Sequence, residues 1–257
     1  MTENLLLSSL QPDDRNALLV QMRKVAFHQG DLLMNADEPV HTVYFPVSGV
    51  LSLISSFTDG STVECATVGH EGTVGALAAC GSGIMRSCVM AKYPGEAWAI
   101  EAKAFCALHE AAPLLRKMLA QYSEILLAEA RQETACRTRH PLEGRLARML
   151  LTLADKADSA SLPLSQEFAA TLMGAQRTSV NAAAKALKDA GGIRYSRGKI
   201  TIADRSSLQR HACECYSAMR RYRGLMAQGG DVVAEPSVLQ NGASAPSQTE
   251  PQRLAGG

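Results

Sequence analysis

The sequence predicts an α+β chain of three parts: an N-terminal β jelly roll (a double-stranded β-helix), one long helix, and a C-terminal winged helix-turn-helix. Three observations predict it. Short β-prone runs separated by glycines fill residues 25–102. The hydrophobic period then switches to that of a helix over residues 113–136. Two short helical segments split by Gly174 lead into an alternating stretch at 192–202. The boundaries that follow are 1–112 for the β domain, 113–138 for the long helix, 139–215 for the winged helix-turn-helix and 227–257 for a disordered tail.

In the β region, VYFPVSGVLSLISSF runs through TDGST into VECATV. Asp59-Gly60 between two β-prone runs is a strong hairpin signal, because both residues tolerate the left-handed backbone of a tight turn. Pro94-Gly95, between SCVMAKY and EAWAIEA, marks another turn. Gly30, Gly49, Gly69, Gly72, Gly75, Gly81 and Gly83 punctuate the region at a spacing that suits a sandwich or jelly roll.

The long helix has apolar residues at 115, 118, 119, 122, 125, 126 and 130, close to i, i+3, i+4, i+7. Pro113 suits its first turn, where no amide hydrogen bond is lost. Such a helix between two domains serves as a dimerisation helix or as a core helix, and the first is favoured. HPLEGRLARMLLTLADKA, 140–157, is a second amphipathic helix, followed by the polar linker DSASLP. Residues 204–226 read as helical. From Gly229 the chain is rich in Gly, Ser, Ala, Pro and Gln, with too few large apolar residues to offset the entropy of ordering.

The stretch 162–202 carries the chemistry. Ser165 caps a helix starting QEFAATLMG, with Glu167 favourable in its first turn, and Gly174 ends it. A second helix starts near Thr178 or Ser179, with Val180, Ala183, Ala184 and Leu187 as its apolar stripe. Opposite the stripe lie Arg177, Asn181, Lys185 and Lys188. That face is either an ordinary solvated surface or one that reads a partner. Helix, short glycine turn, and helix with a polar outer face is the helix-turn-helix pattern, whose second helix enters the DNA major groove. Arg177 then suits guanine O6 and N7, and Asn181 suits adenine N6 and N7. Thr178 and Ser179 sit where hydroxyls and helix N-terminal amides meet phosphate. Lys185 and Lys188 serve phosphates. Arg194, Arg197 and Lys199 on the following hairpin resemble a wing that grips the backbone.

Charge agrees. Residues 1–136 carry 9 Lys+Arg against 15 Asp+Glu, a net −6, while residues 137–226 carry 16 against 7, a net +9. A basic C-terminal third on an acidic N-terminal half is a polyanion footprint. At 257 residues the chain accommodates two modest domains or one large one. No apolar run approaches the ~18–20 residues a membrane span needs. The N-terminus, MTENLLLSSLQPDDR, lacks a basic segment and is no signal peptide, so the expected location is the cytoplasm. No Gly-rich phosphate loop, nucleophile elbow or paired-carboxylate constellation appears, so no enzyme is expected.

The whole order resembles the Crp/Fnr family of bacterial transcription regulators. LPLSQEFAATLMGAQRTSVNAAAKALKDAGGIRYSRGKITIADRSSL is similar to that family's winged C-terminal domain. FHQGDLLMNADEPVHTVYFPVSGVLSLI is similar to the first strands of its cyclic-nucleotide-binding-type sensor domain. The resemblance covers about residues 20–215 and implies a homodimer, paired along the long helix, on inverted-repeat double-stranded DNA, with RNA polymerase as a further partner. It carries the reading role onto Gln176, Arg177, Thr178 and Asn181. Ala182 stands where cyclic-AMP-responsive members place a second base-reading arginine, which implies a different target sequence.

The family's cyclic-nucleotide cassette is a Gly-Glu-Leu turn followed by an Arg-Ser/Thr pair. The matching stretch is VGALAACGSGIMRSCV. Gly75, Leu77, Arg86 and Ser87 match and are the candidate effector-binding residues, but Ala76 replaces the ribose-bonding glutamate. A cyclic nucleotide is therefore not the expected ligand, and Arg86 reads as a solvated strand-end residue. Members that sense oxygen through an iron–sulfur cluster carry N-terminal cysteines; no cysteine here precedes Cys65, so no cluster is expected.

The seven cysteines, at 65, 80, 88, 106, 136, 213 and 215, include no C-x2-C pair. In HACEC, His211 and Cys215 share a face of a continuous helix while Cys213 points away. Nothing near them in sequence completes four ligands, so packing rather than a metal is expected, although a thiol redox switch stays open. His70-Glu71 reads as a surface turn.

Overall fold

The computed structural model describes residues 3–196 and 198–227. Arg197 and all of the expected tail beyond Ala227 lie outside the described residues.

The N-terminal domain opens with helices α1 (Leu5–Ser8) and α2 (Pro12–Gln21). Nine strands follow: β1 (Arg23–Phe27), β2 (Leu32–Met34), β3 (Glu38–Pro39), β4 (Thr42–Pro46), β5 (Val50–Ser56), β6 (Thr62–Val68), β7 (Ile84–Met85), β8 (Cys88–Tyr93) and β9 (Gly95–Glu101). Helix α3 (Ala76–Cys80) interrupts them and α4 (Ala102–Ala111) ends the domain. Every pairing is antiparallel. One sheet has the order β1-β9-β4, another β2-β8-β5-β6, and β3 pairs with β7. Phe27 and Ala97 from the first sheet meet Leu51, Val68, Val89 and Ala91 from the second in one buried cluster. The other face of β4 and β9, through Val43, Phe45 and Ile100, packs against helical residues Leu7, Leu18, Phe105, Leu115 and Tyr122. This is the expected β domain with helical cover.

The cover was not legible in the sequence, because α1–α4 are all shorter than the roughly 11–18-residue window over which a helical period stands out. Asp59-Gly60 does turn β5 into β6, with Gly60 at φ 80° and Asp59 Oδ1 accepting from the Ser61 amide at 2.9 Å. Pro94-Gly95 is a turn of another kind. The strands it joins belong to different sheets, so it is a corner between them, and a Cβ on Gly95 would collide with the Ser48 carbonyl.

Helix α5 (Pro113–Arg139) runs 27 residues, about 40 Å. His140 leaves the helical backbone, as the residue before Pro141 must, and α6 (Leu142–Ala157) starts a new direction. Helix α6 is buried nearly all round. Its Leu146, Leu150, Leu151 and Leu153 share a core with the C-terminal elements and with Val50 and Ile54 of β5. The two domains therefore share a packed interface.

The remaining elements are β10 (Ser161–Leu162), α7 (Gln166–Met173), α8 (Arg177–Asp189), β11 (Ile193–Ser196), β12 (Lys199–Ile202), α9 (Arg205–His211) and α10 (Cys215–Ala227). The three strands form a sheet of order β10-β12-β11. The single helix expected over 204–226 is two: Asp204 caps α9 through the Ser206 and Ser207 amides, and the chain turns extended at Ala212 before α10. Helix α10 then packs back along α5, where Arg223 pairs with Glu129.

Candidate nucleic-acid interface

Ser165 caps α7 as predicted, its Oγ accepting the Phe168 amide at 3.0 Å. Gly174 closes α7 at φ +57°, a conformation that disfavours any residue with a Cβ. Gly174, Ala175 and Gln176 make the turn, and α8 begins at Arg177, one or two residues earlier than expected. Val180, Ala183, Ala184 and Leu187 are all buried, as the stripe requires. Gln176, Arg177, Thr178, Ser179, Lys185 and Lys188 are exposed. At 3.6 residues per turn, Thr178, Ala182 and Lys185 lie nearly opposite the stripe and form the centre of the outer face. Arg177 comes within 3.9 Å of Glu167 but stays 66% exposed, so its guanidinium is free to turn outward.

Asn181 departs from expectation. It flanks the stripe, is only half-exposed, and its Oδ1 is buried without a hydrogen-bond partner. The expected bidentate adenine contact needs that oxygen at the surface, and one turn of α8 places it against the core instead.

In the hairpin, Arg194 pairs in register with Thr201, and Ser196 with Lys199. Opposed residues share a face, so Arg194 and Lys199 project from the same exposed side, while Ile193, Ile200 and Ile202 are buried on the other. Two of the three wing cations thus lie together; Arg197 is outside the described residues.

The four effector candidates are less cohesive. Gly75 caps α3 at φ 88°, where a Cβ would crowd Met34 and the Thr42 carbonyl. Leu77 is exposed and Ser87 half-buried. Arg86 is exposed and bonded to the Asp37 carboxylate. Ala76 is fully buried, so no carboxylate occupies that position. A cleft beside β2 and β3 is lined by Leu32, Met34, Pro39, His41, Thr42 and Met85 and by none of the four.

Two groupings escaped the sequence reading. Glu71, expected on a surface turn, is half-buried and pairs with Lys156 of α6 at 2.6 Å; its carboxylate also accepts from the Gly69 amide. Second, the expectation of no metal site rested on finding nothing to complete a ligand set around His211 and Cys215, with Cys213 pointing away. The fold instead brings Cys136 and His140 of the α5 terminus to Cys213 and Cys215, with all four ligand atoms within 4.8 Å of one another. His211 takes no part, because the break after α9 separates it from Cys215 and its Nδ1 contacts the Ser207 carbonyl. Only the C-x-C spacing was visible beforehand; its partners lie more than seventy residues upstream.

Residues 24–111 match the cyclic nucleotide-binding domain family and residues 144–211 the Crp-like helix-turn-helix domain family, together more than half of the chain. No curated protein sequence matches the chain significantly. Among solved structures, the chain is similar to a CRP-family transcriptional regulator from Thermus thermophilus, at 21% identity over 74% of this chain and 96% of that one, with TM-score 0.63. It is similar also to FixK2 from Bradyrhizobium japonicum, at 17% identity over 75% and 98%, with TM-score 0.63. A third is CLP of Xanthomonas campestris, described as a c-di-GMP-responsive global regulator, at 16% identity over 76% and 100%, with TM-score 0.63. These likenesses establish the fold. A cyclic-nucleotide-binding-like domain, a long helix and a Crp-like helix-turn-helix domain in this order make the chain a member of the Crp/Fnr family of transcription regulators.

Proposed function

We propose that this regulator works as a homodimer paired along α5 and reads an inverted-repeat operator with two α8 helices in successive major grooves, about 34 Å apart. The observation that carries the reading is the exposed start of α8. Gln176, Arg177, Thr178 and Ser179 stand clear of a helix whose apolar side is fully sunk in the core. Free amides there favour phosphate, and Arg177 has the planar fork that suits guanine. Lys185, Lys188, Arg194 and Lys199 add backbone contacts. Asn181 has a supporting role at most, since its acceptor faces inward.

The dimer is supported by the outer face of α5. Leu114 and Leu127 are 46% and 50% exposed. Leu114 lines a groove with Leu5, Met118, Gln121, Ile125 and Leu126. A second α5 would cover this surface. The N-terminal domain is the sensor. A buried Ala76 and an Arg86 engaged by Asp37 favour a ligand other than a cyclic nucleotide. The chain has no catalytic role, RNA polymerase is its protein partner, and its place is the cytoplasm. Among the described residues no helix is long and apolar enough to cross a membrane.

The test is equilibrium binding of the full chain to a duplex recovered from a random pool, across a salt series. Two chains per duplex are expected. If the dimer neutralises six to ten phosphates, affinity should fall about 10³–10⁵-fold between 50 and 200 mM salt. One chain per duplex, or binding indifferent to salt, would contradict the reading.

A further inference from the structure

We propose that Cys136, His140, Cys213 and Cys215 hold one divalent ion, Zn2+ by the chemistry of the donors, which staples the end of the long helix to the C-terminal helix. Cys136 lies in the last turn of α5 and His140 is its C-cap residue. Cys213 lies between α9 and α10, and Cys215 opens α10. Cys136 and Cys215 are at most 1% exposed.

The spacing fits a single tetrahedral ion. Zn–S bonds of about 2.3 Å and Zn–N bonds of about 2.0–2.1 Å give edges of roughly 3.8 Å between sulfurs and roughly 3.5 Å from sulfur to nitrogen. Cys136 Sγ is 3.5 Å from Cys213 Sγ, and Cys215 Sγ is 3.5 Å from His140 Nδ1. All four atoms fall within 4.8 Å of one another. An iron–sulfur cluster spreads its ligands over separate irons and needs a wider cradle. Three sulfurs and an imidazole also disfavour Mg2+ and Ca2+, which take oxygen ligands.

The surroundings of the four residues match those of a metal site. Glu214 Oε1 lies 3.0 Å from His140 Nε2, the far nitrogen of the ring. A carboxylate there fixes the tautomer that leaves Nδ1 with its lone pair toward the ion. Gln132 Nε2 donates to Cys215 Sγ at 2.9 Å, a bond that favours the thiolate. Without an ion, burial pushes the Cys136 and Cys213 thiols up, and the nearby Arg148 guanidinium acts the other way on both. Binding of a divalent ion with loss of three thiol protons leaves a net charge of −1, close to Arg148, which also pairs with Glu133. A Cys136–Cys213 disulfide would account for two of the four side chains and leave the His140–Glu214 alignment without a purpose. With four protein ligands the site has no open position, so its role is structural. It sits at the joint between α5 and α6, where the Cys213 amide donates to the Gly144 carbonyl at 3.3 Å, so it fixes the angle at which the helix-turn-helix domain leaves the long helix.

The test uses the full chain, purified under reducing conditions without chelator. Elemental analysis is expected to find one zinc per chain. After zinc removal, Co2+ should give the intense visible absorption of a tetrahedral thiolate complex, saturating at one equivalent. Cys136→Ser and Cys213→Ser should abolish that spectrum, whereas Cys80→Ser, in the separate thiol pair with Cys106, should keep it. Should the ligand variants fail to fold, Glu214→Gln, on an exposed residue, still reports: competition with a chelator should show metal affinity about 10–100-fold lower. A folded wild-type chain without stoichiometric metal and without the Co2+ spectrum would overturn the proposal. So would a disulfide trapped between Cys136 and Cys213, or iron accompanied by acid-labile sulfide. An unchanged affinity in Glu214→Gln would overturn the orienting role given to that carboxylate.

Discussion

Lys156 Nζ lies 2.6 Å from Glu71 Oε1, a pair that joins the first helix of the DNA-binding domain to a loop of the sensor domain. Lys156 is 4% exposed and bonds the Thr67 carbonyl as well. Burial would raise the Glu71 pKa, but the adjacent ammonium, its hydrogen bond and the backbone amides hold it below the usual 4.5. The contact ties the two domains to each other apart from the long helix.

Lys156→Met leaves the Glu71 carboxylate without its partner in a half-buried site. The expected loss is about 3 kcal/mol of unfolding free energy at neutral pH, measured by urea denaturation. Replacing both partners, with Glu71→Leu added, should recover part of it. A single variant as stable as wild type would mean that the pair does not hold the domains together.

The same pair gives an acid limb to stability. A carboxylate with a lowered pKa in the fold stabilises the folded state at pH above its unfolded value of about 4.5, and that contribution is lost as pH falls through the folded value. Tyr122, Arg223 and Lys156 face the carboxylate. Wild-type stability should therefore fall below pH 4.5 more steeply than that of the doubly substituted chain, in paired denaturation curves. Parallel acid limbs would contradict this.

Arg194→Ala and Lys199→Ala remove cations from one exposed face of the wing. Each should weaken binding to all duplexes alike. Each should also flatten the log–log salt slope by about 0.9 for every phosphate left without its cation, in each half of the dimer. Competition between specific and random duplexes checks this; a change confined to the specific duplex would mean that the wing reads bases.

Leu114→Glu places a charge in the groove beside α5 that a second copy covers in the proposed dimer. Sedimentation should show the dimer dissociating at concentrations where wild type stays paired, with the monomer's far-ultraviolet circular dichroism intact. A variant that remains dimeric would place the interface elsewhere.

Much of this was legible from local pattern. The stripe Val180, Ala183, Ala184, Leu187 announces a half-buried helix, and Gly174 and Ser165 announce its neighbour's ends, because capping and period are properties of a few adjacent residues. What was not legible depends on long-range placement. Asn181 reads as part of the polar face beside Arg177 and Lys185 but sits at the edge of the stripe, where the core reaches its oxygen. Glu71 and Lys156 are unremarkable separately. Cys136 and His140 acquire meaning only when the break at Ala212 turns α10 back along α5. Apart from α5, the helices covering β4 and β9 are short, and packing rather than propensity forms them.

The most direct measurement is selection of duplexes from a random DNA pool by the purified full chain, with Arg177→Ala selected in parallel. Wild type should recover an inverted repeat whose half-sites lie about one helical turn apart. Arg177→Ala should lose preference at one base pair in each half-site, at a cost of about 1–3 kcal/mol per half-site. Recovery of the same repeat with the same affinity by both proteins would show that α8 is not the reading helix.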